Sequence, residues 1–208
     1  MALIKVIFVS LNTIFQFDKK LITYYSLLIT YHQYLNLTQY GYMFLLNALV
    51  IAISVAICCL LYLLRLPGME LLGVTPNWLL IWLITWSVKH SVAESAIAAV
   101  ALGWIYDGLT VGHPSHVLSF VIVGVITANF HKERYIEEDF VSIALIVFAM
   151  AIMAETVLAL QYLLLQTRSP GDIVQDYWRI AITSAVITSL WTPAVYLPLN
   201  RWWETLTD

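Results

Sequence analysis

The chain has 208 residues; 61% are hydrophobic, only 11% are charged, and the formal net charge is −3. A soluble domain carries about 25% charged residues, and a soluble fold of this length could not hide so much apolar surface. Composition therefore excludes an ordinary soluble enzyme, a disordered chain and a secreted disulfide scaffold, and the small net charge offers no field for nucleic acid. The mean hydropathy of +0.83 points to a polytopic membrane protein.

In chain order, the first 42 residues stand apart. Met1 to Phe17 is apolar around Lys5, Asp18-Lys19-Lys20 interrupts it, and Leu21 to Leu35 is rich in Tyr and Thr. No small-residue cleavage site follows a basic start, so this is not a secretory signal. We expect an N-terminal extension that is interfacial, an extra span, or an artefact of a mistaken start, with Met43 as the true start. Sequencing the expressed N-terminus decides, and a mature protein beginning at Met1 removes the artefact.

Leu45 to Leu64 is a clean uncharged span of 20 residues, closed by Arg65 and broken by Leu66-Pro67-Gly68. Its adjacent Cys58 and Cys59 read as small buried hydrophobes. Ala48, Ala52 and Ala56 recur at i, i+4, i+8, a spacing that lets another backbone approach closely.

The middle apolar stretches are short for spans. Trp78 to Val88 has 11 residues, Ser91 to Tyr106 has 16 and Val117 to Phe130 has 14. Fusing the first two gives a helix of about 43 Å, too long without steep tilt, with Lys89 near mid-membrane at a cost of roughly 2.5–3.5 kcal/mol. A turn at Lys89-His90-Ser91 is the better reading. Trp78, Trp82 and Trp86 form a stripe in which only the end residues can anchor at an interface. Ser95, Ala99 and Gly103 repeat the small-residue spacing, and at least one of the two small rows should serve packing within the chain. Phe140 to Leu165 is a span of 26 residues holding one charge, Glu155. Ile180 to Leu197 is the last, expected to end near Pro198, Asn200 and Arg201.

The result is an all-α membrane domain of six segments over residues 43–208. Lysine and arginine favour the cytoplasm. With the N-terminus inside, Lys89, Lys132, Arg134 and Arg201 lie inside and Arg65, Arg168 and Arg179 outside, with Lys19 and Lys20 adding to the inside count. The expectation is N-in and C-in.

Ionisable residues within spans are functional candidates by default. Glu94 starts the third segment within a turn of Lys89 and His90, and the simpler reading is an interfacial residue. Asp107, in Gly103-Trp104-Ile105-Tyr106-Asp107-Gly108, reads first as a helix stop. His113 and His116 are three apart, but Pro114 lies between them and no other ligand accompanies them, so no metal site is expected. Glu155 carries two readings of equal weight: a proton, cation or substrate partner, or a carboxyl hydrogen-bonded between helices. His131 to Asp139, with Arg134, Glu137 and Glu138, is the most charged stretch, either a solvated loop or a cytoplasmic docking patch. No catalytic motif appears, and no cofactor is implied.

Three stretches in this order carry a resemblance: Arg65-Leu66-Pro67-Gly68-Met69-Glu70-Leu71-Leu72-Gly73-Val74-Thr75-Pro76-Asn77, then Gly103 to Leu109, then Glu133-Arg134-Tyr135-Ile136-Glu137-Glu138-Asp139-Phe140. With the short helices between them, residues 43–201 resemble the rod shape-determining protein MreD family, most closely its cyanobacterial branch. The Pro76-Asn77 entry to the second helix and the Gly-x3-Asp-Gly element ending at Asp107 and Gly108 carry most of the likeness, and Pro67, Pro76 and Asn77 are candidate structural or partner-binding residues. The resemblance implies a non-enzymatic component of the bacterial inner membrane that binds the bitopic protein MreC. With MreC it would help couple the MreB filament, and indirectly the peptidoglycan synthases, to cell elongation. By the same resemblance the membrane faces would hold the MreC helix and the His131 to Asp139 loop would meet cytoplasmic partners. The family is also similar in fold to the S components of energy-coupling-factor vitamin transporters, which implies the rival expectation of a ligand cavity at the outer face. The sequence shows no aromatic and polar cluster dedicated to one vitamin.

Overall fold

A computed structural model describes residues 42–43, 45–64, 68–110, 114–132, 140–166 and 170–207. Among the described residues the protein is helical: α1 Leu45–Leu64, α2 Trp78–Lys89, α3 Val92–Leu109, α4 Val117–Lys132, α5 Phe140–Leu165 and α6 Pro170–Thr207. Four of these, α1, α3, α5 and α6, are long and apolar enough to cross a membrane. The chain divides between Ile53 and Ser54 into two units, taken in turn.

The described part of the first unit is the opening half of α1, where Leu45, Ala48, Leu49, Ala52 and Ile53 are all exposed. An apolar helical surface of this kind needs lipid or protein as its solvent.

The second unit is built around α2. This helix is apolar on every side, and Trp78 through Thr85 are all at most 2% exposed. A helix apolar all round belongs in an interior, and α3, α4, α5 and α6 all pack on α2. Its 12 residues give about 18 Å of helix, less than the roughly 30 Å of hydrocarbon. Enclosure explains the shortness, since irregular backbone at membrane depth is tolerated where protein covers it. The tryptophan stripe is core rather than anchor: Trp78 packs on Trp191 of α6 with ring centroids 5.6 Å apart, and the Trp82 Nε1–H donates to Ser54 Oγ at 2.8 Å.

The chain breaks between α2 and α3 at His90, as the turn at Lys89-His90-Ser91 predicts. Ser91 and Glu94 close a capping box: Ser91 Oγ accepts the Glu94 N–H at 3.4 Å and Glu94 Oε2 accepts the Ser91 N–H at 3.0 Å, satisfying two donors that a helix start leaves open. The row Ser95, Ala99 and Gly103 faces α4. A Cβ on Gly103 would stand 2.6 Å from the Val117 Cα, and one on Gly124 would stand 3.2 Å from the Ser95 carbonyl oxygen. Glycine at these positions lets the two backbones touch.

α5 buries Ile143, Val147, Met150, Ala151 and Ala154, one helical stripe, mainly against α6. α6 departs from expectation. The last segment was expected to end near Pro198, yet the helix begins at Pro170 and runs on to Thr207 with Pro193 and Pro198 inside it. Each proline forfeits one backbone hydrogen bond. Burial of Val195, Tyr196, Leu199 and Trp203 offsets that loss and carries the helix through.

Before α2, Leu71 to Val74 makes a tight turn with paired backbone hydrogen bonds of 2.9 Å in both directions. Leu72 at φ 51° and Gly73 at φ 81° give it two left-handed central residues, the type I′ pattern.

Candidate functional site

The turn from α3 to α4 is organised by one carboxylate. Asp107 Oδ1 accepts the backbone N–H of His116 at 2.8 Å and contacts its Nδ1 at 2.8 Å, while Oδ2 accepts from the Ser115 hydroxyl. Asp107 is therefore more than a helix stop: α3 continues to Leu109, and the carboxylate caps the start of α4 from the neighbouring helix. The His116 ring it holds lies edge-on to Tyr106, with centroids 4.5 Å apart. Tyr106 also packs on Phe120 at 5.6 Å and on Tyr62 at 5.2 Å.

Behind this corner lies a cavity of about 290 Å³. α5 contributes Glu155, Leu158, Ala159 and Tyr162, and α6 contributes Ile173, Asp176, Tyr177 and Ile180. Each set follows i, i+3, i+4, i+7, so each is one helical face. Tyr106, His116, Phe120 and the α2 cap Asn77 complete the wall. All these residues sit at the end of the bundle where α2 and α4 begin and α3 ends, opposite the Lys89 end. Glu155 is half-buried at the cavity and within hydrogen-bonding reach of the buried Ser184 hydroxyl. Tyr177 is fixed from the side. The Thr156 hydroxyl spends its one proton on the Ile152 carbonyl at 2.7 Å, so in the 2.8 Å contact between them Tyr177 donates to Thr156.

Asn77 fastens the floor. Its Oδ1 accepts the Leu80 N–H at 3.1 Å, the ordinary N-cap role, and its own N–H donates to Thr188 Oγ1 of α6 at 3.1 Å. Pro76 is buried beside it. The opposite end of α2 carries an aromatic cluster: Trp86 stacks on Trp82 at 5.3 Å and on His90 at 3.5 Å, and Trp203 meets both Trp86 and His90 edge-on.

The sequence-selected residues thus separate. Asn77 and Glu155 line the cavity, and Asp107 acts on it through His116. Glu94 lies apart at the other end of α3, serving the capping box. Ala48, Ala52 and Ala56 are all exposed. Pro67, Arg134, Glu137 and Glu138, like His113, lie outside the described residues. The cavity adds residues not singled out before: Tyr106, Tyr162, Asp176 and Tyr177. They give the cavity three phenol rings and a second carboxylate beside Glu155. The face Ile173-Asp176-Tyr177-Ile180 was available as a signal, because an acid and a phenol share one helical face with two isoleucines. Among the described residues, no three His, Cys, Asp or Glu side chains stand together as a metal site.

Neither a curated protein nor a solved structure matches the chain. A family model does, the rod shape-determining protein MreD, over residues 42–200. The match takes in all of α1 through α5, the Asn77 cap, the Asp107 corner and every wall of the cavity, so this multi-pass membrane chain belongs to the MreD family of rod shape-determining proteins.

Proposed function

We propose that this protein is a non-enzymatic component of the cell-elongation machinery that binds an MreC-type bitopic membrane protein. Through it, the protein couples the MreB filament to lateral peptidoglycan synthesis. The observation that supports this best is the α1 surface, where the exposed alanines at 48, 52 and 56 stand among exposed Leu49, Ile53 and Ile57. A row of small residues flanked by branched ones is a surface on which a second transmembrane helix packs closely. The matching row on α3 is already used inside the molecule, which leaves the α1 row for a partner. The chain sits in the inner membrane with both termini in the cytoplasm. The loop carrying Arg134, Glu137 and Glu138 then faces cytoplasmic partners, and the cavity opens on the outer side.

Depletion followed by microscopy tests the role. Rounding or swelling of the cells is expected, and normal shape after depletion overturns it. Ala52→Leu in α1 should reduce co-purification of the MreC-type partner at unchanged protein level. An unchanged yield removes the alanine face as that interface. The cavity favours a second reading, a substrate-binding S component, which a vitamin-uptake defect with normal cell shape would select.

A further inference from the structure

The polar groups around the cavity have a free hydrogen-bonding capacity set by the bonds they already make. Asp176 and Tyr162 line it but engage other groups of the chain; four other residues define what the wall offers. Asn77 accepts the Leu80 N–H through Oδ1, which orients the amide and leaves its two N–H groups to donate. Tyr177 gives its proton to Thr156, so its oxygen is left to accept. His116 sets Nδ1 against the Asp107 carboxylate, which only accepts, so Nδ1 carries the proton and Nε2 of the neutral ring is an acceptor. Glu155 reaches the Ser184 hydroxyl, and its two oxygens hold more acceptor sites than one hydroxyl fills. The wall thus mixes a donor with three acceptors.

A hydroxyl both donates and accepts, and several on one small frame match both kinds of group. An ammonium brings donors alone and would leave the Asn77 amide hydrogens unmatched. A carboxylate or phosphate brings acceptors alone and would meet three others. The Tyr106 and Phe120 rings, with centroids 5.6 Å apart, add aromatic surface, whose electron-rich face attracts the C–H groups on one side of a sugar ring. A volume of about 290 Å³ is at the small end for ligand sites and suits one such ring rather than a chain of them. Glu155 shares its face of α5 with Leu158 and Ala159, a costly placement for a carboxyl that hydrogen bonds from a ligand would offset.

We propose that this cavity binds a single neutral sugar ring, with Glu155, Tyr177 and His116 accepting from its hydroxyls, Asn77 donating to them, and Tyr106 and Phe120 as apolar wall. This holds whether or not α1 seats a partner helix. A sugar ring can arrive free in solution or as the headgroup of a glycolipid, and the two sources are separable.

The full-length protein is placed in phosphatidylcholine nanodiscs, and binding of radiolabelled methyl glucoside, methyl galactoside and N-acetylglucosamine is measured by equilibrium dialysis. Ethanolamine and acetate serve as competitors. A second preparation contains a monoglycosyldiacylglycerol, and native mass spectrometry reads whether that lipid is retained over phosphatidylcholine. Saturable binding of a soluble sugar identifies a free ligand; retention of the glycolipid alone identifies a headgroup. In either case Glu155→Leu should weaken binding by about tenfold or more, the loss of a hydrogen bond to a charged group. Tyr177→Phe, which keeps the ring, should weaken it by about threefold to tenfold. Glu204→Gln, on α6 beyond the cavity, should leave it unchanged. If Glu155→Leu does not fold, Tyr177→Phe carries the test. The proposal is overturned if neither sugars nor glycolipid bind, if ethanolamine or acetate competes as well as unlabelled sugar, or if binding is unchanged in either variant that folds.

Discussion

Asp107, near the end of α3, and His116, at the start of α4, are joined twice through one oxygen: Asp107 Oδ1 meets both the His116 backbone N–H and its Nδ1 at 2.8 Å. The carboxylate thus fixes where α4 begins and how the imidazole beside the cavity is turned. Replacing Asp107 with Ala leaves the first turn of α4 without its acceptor and should cost about 1–3 kcal/mol. The check is thermal unfolding of the purified variant, with cell shape and protein level scored together. Normal shape at normal level would remove Asp107 from the functional residues.

Two glycines on α3 make a paired test of close packing. Gly103→Ala drives a methyl into the Val117 backbone, whereas a Cβ on Gly108 meets nothing within 4 Å. The first should destabilise by about 1–3 kcal/mol. The second should be neutral or stabilise by up to about 1 kcal/mol, the helix propensity of alanine over glycine. Denaturation midpoints of the two variants measured side by side read the contrast, and equal midpoints would deny the helix contact.

Leu72 holds a left-handed conformation at φ 51° with its side chain 74% exposed. Leu72→Asn creates the Asn-Gly pair that a type I′ turn prefers and gives up little packing. A gain of about 0.5–1 kcal/mol in unfolding free energy is expected, and a loss would mean that the exposed leucine has a contact of its own.

Burial against Trp86 and Trp203 holds the His90 imidazole below its usual pKa. The Trp86 carbonyl and Glu94 pull the other way, and Lys89 adds to the depression. The native state therefore disfavours the protonated ring, so its contribution is present above about pH 6.5 and declines as the pH falls below that value. Melting temperatures between neutral and mildly acidic pH should fall more for the native protein than for His90→Gln. Parallel curves would exclude His90 as the source.

Much of the fold was legible because hydrophobic length and helix signals dominate a membrane chain. The apolar runs Leu45–Leu64 and Phe140–Leu165, the second holding only the charge of Glu155, form α1 and α5, and Lys89-His90-Ser91 divides α2 from α3. What composition could not give was the third dimension. Ala48-Ala52-Ala56 and Ser95-Ala99-Gly103 look alike as strings, yet the second row is packed against α4 and the first is exposed, a difference set by neighbours distant in sequence. Pro198 reads locally as a stop, but the burial of Leu199 and Trp203 overrides it. Glu155 could be recognised as costly, but the company it keeps could not, because Tyr106, Tyr162, Asp176 and Tyr177 come from three helices.

The central position of α2 bears on how the chain is made. The Asn77 N–H is satisfied by Thr188, 111 residues later, and Trp78 rests on Trp191 of the same late helix. During synthesis the most enclosed helix thus precedes every helix that covers it, and its covering is completed only with α6. For most of that interval lipid stands where α6 will be, and about 18 Å of helix must be accommodated by a bilayer that is thicker than it is. Assembly of the interior is therefore a post-insertion event, completed when the C-terminal helix displaces lipid from a surface already in the membrane.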